Sequence, residues 1–116
     1  MVGQNKRRSE RSVPLVSDED VVVVRQDGQA NALAKIIDLS EVGTLLYLLG
    51  DGDPSGTVLL SIYHQGKVFE VSANVIRKTG HLIAFEFVDP SPEATHEIQS
   101  KLIRMEVEWM RLSGMR

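Results

Sequence analysis

The chain has 116 residues, of which 42% are apolar, 25% charged and 5% aromatic, a profile typical of one small globular domain rather than several. It contains no cysteine, which excludes disulfides, thiolate metal sites and thiol nucleophiles. No apolar run approaches the roughly 18 residues that a membrane helix needs, and the first residues are too polar for a signal peptide, so the sequence predicts a cytoplasmic protein with no membrane insertion.

The net charge of −3 is unevenly distributed along the chain. Within residues 1–12, four cations outweigh one carboxylate, so this segment carries +3 and the remaining 104 residues carry −6. The charged residues of the segment are Lys6, Arg7, Arg8, Glu10 and Arg11. The segment also lacks apolar periodicity, which is typical of a flexible chain. We therefore predict a flexible, arginine-rich arm at residues 1–12.

Short β-branched and apolar runs separated by turn residues predict six strands. The predicted strands cover residues 13–25, with a break at the acidic 17–20, and residues 32–39, 44–49, 57–63, 68–76 and 82–88. Asp27-Gly28 and Gly66 supply the backbone freedom that hairpin turns need. Because the connections are short, the sequence predicts an antiparallel meander that closes into a six-stranded β-barrel over residues 13–89.

The spacing of the apolar residues changes from that of a strand to that of a helix after residue 89. A C-terminal helix is therefore predicted over residues 90–114. Ser91 suits the N-cap, Pro92 the first helical position and Gly114 the end of the helix. An apolar face follows at helical spacing, formed by Ile98, Leu102, Met105, Trp109 and Leu112, with Ile103 and Met110 beside it. This face favours a helix packed on the barrel, and pairing with a second copy is the alternative, so a monomer and a homodimer both stay open.

The sequence offers little for catalysis or metal binding. His64, His81 and His96 share no metal-ligand spacing and are interpreted as surface residues. Asp51 and Asp53 lie in a turn that lacks the further ligands of a calcium loop. Glycine-rich nucleotide loops and a nucleophile elbow are also missing from the sequence. We therefore predict neither an enzyme nor a metal site.

Two short motifs stand out from this background. Arg7 and Arg11 form an R-x-x-x-R in the arm, and Asp38, Ser40 and Gly43 form a D-x-S-x-x-G between the second and third predicted strands. Each motif alone is weak, because such spacings often occur by chance. Their order is more specific, since the arm leads into the first strand and the second motif lies on a small barrel.

With these motifs the sequence resembles the PilZ domain family, over nearly the whole chain. The family consists of six-stranded antiparallel β-barrels that bind the bacterial second messenger cyclic di-GMP. The resemblance implies that the ligand is held by Arg7, Arg8, Arg11, Asp38, Ser40 and Gly43. Ala84 departs from the glycine that many members carry in the late strand, which we expect to affect packing more than binding.

The chemistry of the ligand agrees with these residue types. Cyclic di-GMP has two phosphates and two guanine bases, and the planar fork of arginine bridges phosphate oxygens, pairs with guanine O6 and N7, or stacks on a purine. Asp38 supplies an acceptor for guanine N–H groups, and Ser40 supplies a donor. Gly43 would let the backbone approach the ligand, because it has no Cβ.

The resemblance implies a stand-alone receptor that transmits cyclic di-GMP binding to an unidentified effector protein as the arm becomes ordered. One or two ligand molecules per chain both fit the motifs. A first alternative is a module of the same fold that binds proteins and no nucleotide. A second is a barrel that binds single-stranded RNA through the arm, although few cations are available and the aromatic residues mostly occupy core positions, so we expect no nucleic-acid partner.

Overall fold

The computed structural model describes residues 21–113. They form β1 (Val21–Gln26), β2 (Gln29–Leu39), β3 (Gly43–Leu49), β4 (Thr57–His64), β5 (Lys67–Thr79), β6 (Leu82–Phe87) and α1 (Pro92–Ser113). The arm at residues 1–12, the predicted strand residues 13–20 and the predicted helix end at Gly114 lie outside the described residues. No helix within residues 21–113 is long and apolar enough to cross a membrane.

The six strands form a closed barrel in the order β1-β2-β3-β6-β5-β4, and every neighbouring pair is antiparallel. This confirms the predicted six-stranded antiparallel barrel with a C-terminal helix. The predicted single meander is wrong, because β3 pairs with β6 and β4 pairs with β1. The chain instead makes two three-stranded meanders, and the turn-rich residues 50–56 connect them. Pairing both edges of each meander leaves no open sheet edge.

Two hairpins owe their register to left-handed turn residues. Asp27 and Gly28 have φ of 56° and 79°, and Gln65 and Gly66 have φ of 52° and 77°. Two consecutive positive φ angles are the signature of the type I′ turn, whose twist matches that of the flanking strands. The turns predicted at Gly28 and Gly66 are therefore confirmed.

The core fills the barrel with the inward-facing side chains of alternating strand positions. Among the most buried are Val22, Val24, Leu46, Leu60 and Ile62, each 0% exposed. Because these residues come from β1, β3 and β4, one apolar cluster joins both meanders. The fold therefore presents its outer face and its loops to ligands.

Helix α1 packs on the barrel from Ala94 to Met105. Ala94 and Ile98 are buried and belong to the core cluster, and Leu102 and Met105 pack against that cluster in half-buried positions. The predicted apolar face does not continue, because Trp109 and Leu112 are 68% and 70% exposed. A helix of 22 residues is about 33 Å long, and its residues 106–112 are exposed, so the barrel covers only part of this length.

The first turn of α1 is capped as the sequence predicts. Ser91 Oγ accepts a hydrogen bond from the backbone N–H of Ala94 at 3.0 Å, and Pro92 occupies the first helical position. Replacing an N-cap serine by alanine usually costs about 1 kcal/mol of stability. We expect Ser91→Ala to lower the free energy of unfolding in urea by about that amount. Ser91→Asp keeps a capping oxygen and should match the wild type, whereas equal losses in both variants would contradict the cap.

Candidate functional site

A β-bulge at Ile37 turns Asp38 to the outside of the barrel. Ile36 points inward, so strict alternation along β2 would direct residue 38 into the core. The pairing with β3 passes from Ile36 to Asp38 and leaves Ile37 as an extra residue. Asp38 is therefore exposed and Leu39 is buried instead. The bulge places a carboxylate on the outer surface at the end of β2.

The side chain of Ser40 organises the loop between β2 and β3. Its Oγ accepts hydrogen bonds from the backbone N–H groups of Val42 at 3.2 Å and Gly43 at 3.1 Å. The backbone N–H of Ser40 also donates to the carbonyl oxygen of Gly43 at 2.8 Å. These bonds stabilise a tight loop. In this structure the hydroxyl of Ser40 serves the loop, and its contact with a ligand stays a prediction.

Gly43 lies where the backbones of β3 and β6 are in close contact. A Cβ at this position would overlap the carbonyl oxygen of Phe85 and lie 3.3 Å from the Cα of Glu86. The same strand anchors the loop, because the backbone N–H of Phe87 donates to the carbonyl oxygen of Val42 at 2.8 Å. The close packing of the two backbones is therefore sufficient to explain why residue 43 is a glycine, without any contact with a ligand.

Four residues form a transverse row on the outer face of the barrel. In register, Asp38 pairs with Leu45, Leu45 with Ala84, and Ala84 with Arg77. With neighbouring strands about 4.8 Å apart, the row follows the curved barrel surface for roughly 14 Å, with a carboxylate at one end and a guanidinium at the other. Ala84 adds only a methyl group to its centre. This row is the part of the surface where the D-x-S-x-x-G motif and the late strand meet.

A cleft of about 710 Å³ separates the β2–β3 loop from α1. The loop contributes Asp38, Leu39 and Glu41, and the helix contributes Leu102, Ile103, Met105, Glu106 and Trp109, with Gln99 at the same wall. Gln99 Nε2 donates to Glu41 Oε2 at 3.5 Å, which links the two sides. This volume falls in the range of small-molecule sites.

All the charged side chains among the described residues that line the cleft are carboxylates. Asp38, Glu41 and Glu106 contribute carboxylates, and none of these lining residues is a lysine or an arginine. An anionic ligand at this place would need cations from another segment. The predicted Arg7, Arg8 and Arg11 lie outside the described residues, so the structure brings together Asp38, Ser40 and Gly43 and does not address the arginines.

The histidines are not all surface residues. His64 is fully buried under α1, with its Nε2 3.1 Å from Ser100 Oγ, so the prediction of a surface position is wrong. His64 is two and four residues after Ile62 and Leu60, which face inward on β4, so strand alternation could have predicted its buried position. Lys101, which the sequence did not single out, is also buried, on the barrel side of α1. Among residues 21–113, no three His, Asp or Glu side chains are grouped to hold a metal ion.

The chain is similar to known proteins in structure and in sequence. A crystal structure of an uncharacterized Legionella protein, Lpg0364, is 19% identical with a TM-score of 0.49, and the match covers 79% of this chain and 91% of that one. A search of curated proteins found no match. The model of the PilZ domain matches residues 5–104, which include both motifs and all six strands. The chain therefore belongs to the PilZ domain family.

Proposed function

We propose that this PilZ domain is a receptor for cyclic di-GMP, held between the D-x-S-x-x-G loop and the arginines of the arm. The observation that carries the proposal is the bulge at Ile37, which directs Asp38 outward beside a loop anchored to β6. A bulge costs regular pairing, and such features are often found next to functional sites. Family membership supplies the class of ligand.

The outward carboxylate suits guanine recognition. The N1–H and N2–H₂ groups of guanine are donors, and an ionised carboxylate accepts two hydrogen bonds in parallel. Asp38 Oδ1 already accepts from the backbone N–H of Leu39 at 2.9 Å, which fixes the orientation of the carboxylate. A preoriented acceptor loses less entropy when the ligand binds.

The row from Asp38 to Arg77 supports the same ligand. The small side chain of Ala84 leaves the middle of the row open, and Arg77 provides a cation for phosphate at its far end. Residues 7, 8 and 11 would supply the other cations, which the acidic cleft requires.

Signal transmission is proposed to follow from ordering of the arm at residues 1–12 over the bound ligand, which creates a new surface for a protein partner. The outer face of β2, β3 and β6 supports a partner contact, because it carries exposed apolar side chains next to the site. These are Leu33, Ile37, Tyr47, Leu49 and Leu82, between 38% and 53% exposed. Leu33 pairs with Leu49, and Tyr47 pairs with Leu82, so most of the group forms one patch.

Titration calorimetry with cyclic di-GMP tests the proposal, with GTP and cyclic di-AMP as competitors of related chemistry. We expect selective binding that Asp38→Asn weakens by about five- to 150-fold, the range for loss of a bidentate base contact. Asp51→Asn, at an exposed carboxylate of the loop at residues 50–56, is the matched control and should bind like the wild type. Equal affinities for all three proteins would exclude Asp38 from the site.

A folded wild-type protein that binds no cyclic di-GMP would favour the second candidate function. This is a PilZ module that binds proteins and no nucleotide, and the exposed apolar patch on β2, β3 and β6 is the observation that favours it. Alanine at Tyr47 and Leu49 would then be the first variants to examine for partner binding.

A further inference from the structure

Residues 106–112 of α1 are exposed, and Glu106 and Trp109 of this segment line the cleft beside Asp38. Met105, Glu106 and Trp109 lie beyond residue 104, where the match to the PilZ domain ends. The motif residues of the family therefore do not account for this wall of the cleft.

We infer that the cleft between the β2–β3 loop and α1 receives one guanine base of the ligand, with the indole of Trp109 as its stacking surface and Glu106 as an acceptor for its N–H groups. This inference rests on the proposed binding of cyclic di-GMP and adds α1 to the binding site. It assigns specificity to residues outside the two motifs.

The shape and charge of the cleft select a base rather than a phosphate. Its carboxylates at Asp38, Glu41 and Glu106 repel phosphate, and none of the described residues that line it offsets this repulsion. The same carboxylates attract the donor edge of guanine, which has two neighbouring N–H groups. Adenine presents an acceptor, N1, on the corresponding edge, so the cleft favours guanine over adenine.

Trp109 has the exposure that a stacking surface requires. Its side chain is 68% exposed and lines the cleft from the helix, opposite the Asp38 loop. A base that lies on the indole would cover apolar area that now faces solvent, and stacking on an aromatic side chain contributes about 1–3 kcal/mol per base. Met105, half-buried and next to the core, closes the bottom of the same wall.

The sole tryptophan of the chain makes the test direct. We expect cyclic di-GMP to quench the fluorescence of Trp109, and we expect Trp109→Ala to weaken calorimetric binding about five- to 150-fold. Met110→Ala, at a neighbouring residue that is 59% exposed and does not line the cleft, is the control and should bind like the wild type. Both positions are exposed, so neither variant is expected to unfold the domain, which circular dichroism checks.

Glu106 is tested by specificity rather than by affinity alone. Glu106→Gln also removes charge near the phosphates, so its effect is measured as the ratio of the affinities for cyclic di-GMP and cyclic di-AMP, which carry equal charge. We expect this ratio to fall at least fivefold in Glu106→Gln and to stay unchanged in Glu108→Gln, whose carboxylate lies outside the cleft and 3.6 Å from Arg111.

The outcomes separate the inference from the proposed function. Suppose that the wild type binds cyclic di-GMP, that Trp109→Ala binds it with the same affinity, and that Glu106→Gln keeps the same base selectivity. The cleft is then not the base site, and the receptor function stands. If a folded wild type binds no cyclic di-GMP, the proposed function fails and the inference fails with it.

Discussion

Gly43→Ala should destabilise the domain by about 3 kcal/mol, which is the upper part of the range for overpacking a well-packed interior. The added methyl group would overlap the carbonyl oxygen of Phe85, and a backbone atom in a paired strand cannot move aside as a flexible side chain does. Relief would require β3 and β6 to separate where they close the barrel. Thermal or urea unfolding measures the loss.

Gly80→Ala is the control for this prediction. Gly80 has a positive φ of 63° with open space around it, so alanine there meets backbone strain without a steric overlap. Strain of that kind costs roughly 1–2 kcal/mol. We expect Gly43→Ala to be the more damaging of the two, and the opposite order would show that β3 and β6 tolerate the extra methyl group.

The Gly43 prediction also changes how the D-x-S-x-x-G motif is understood. From the sequence, Gly43 and Ser40 were expected to serve the ligand directly. In the structure both stabilise the loop, the serine through its hydrogen bonds to backbone N–H groups and the glycine through its approach to β6. Loss of ligand binding in a Gly43 variant would therefore be explained by damage to the fold and would not demonstrate a contact with the ligand. Asp38 is the better probe of the site.

Local patterns in the sequence were sufficient to predict the strands within residues 21–113 and the N-cap of α1. Positive-φ turns at Asp27-Gly28 and Gln65-Gly66 and the N-cap at Ser91 depend on a few neighbouring residues, so the amino-acid types reveal them. The order of the strands depends on contacts between distant residues. The pairing of β3 with β6 rather than β4 therefore has no local signal, and a meander was predicted instead.

The bulge that turns Asp38 outward was not predicted from the sequence, for a related reason. A bulge is a property of two paired strands, and only the shift from an inward Ile36 to an inward Leu39 hints at it in the sequence. For α1, the sequence predicted a longer packed face than the structure has. Its apolar spacing continues to Leu112, but the packing against the core ends at Met105, because periodicity alone gives no information about the length of the surface that a helix covers.

Replacing both Arg7 and Arg11 by alanine should reduce the affinity for cyclic di-GMP by at least about 100-fold, the largest effect on binding that we expect. The acidic cleft cannot hold phosphate by itself, and the arginine fork contributes charge and paired hydrogen bonds together. Calorimetry of the double variant measures the loss. We expect an unchanged unfolding midpoint, because both residues are charged and belong to a segment without apolar periodicity.

Two further variants separate the arginine fork from simple charge. Arg7→Lys with Arg11→Lys keeps both charges but lacks the planar fork, so we expect it to recover only a small part of the lost affinity. Lys6→Ala removes a cation from the same basic segment without touching the motif and should bind like the wild type. If Lys6→Ala weakened binding as strongly as the arginine variants, and all effects disappeared at raised salt, the arm would act as a diffuse positive charge, as an RNA-binding segment does. Specific recognition by the arginines requires that the Arg7 and Arg11 variants lose affinity while Lys6→Ala retains it.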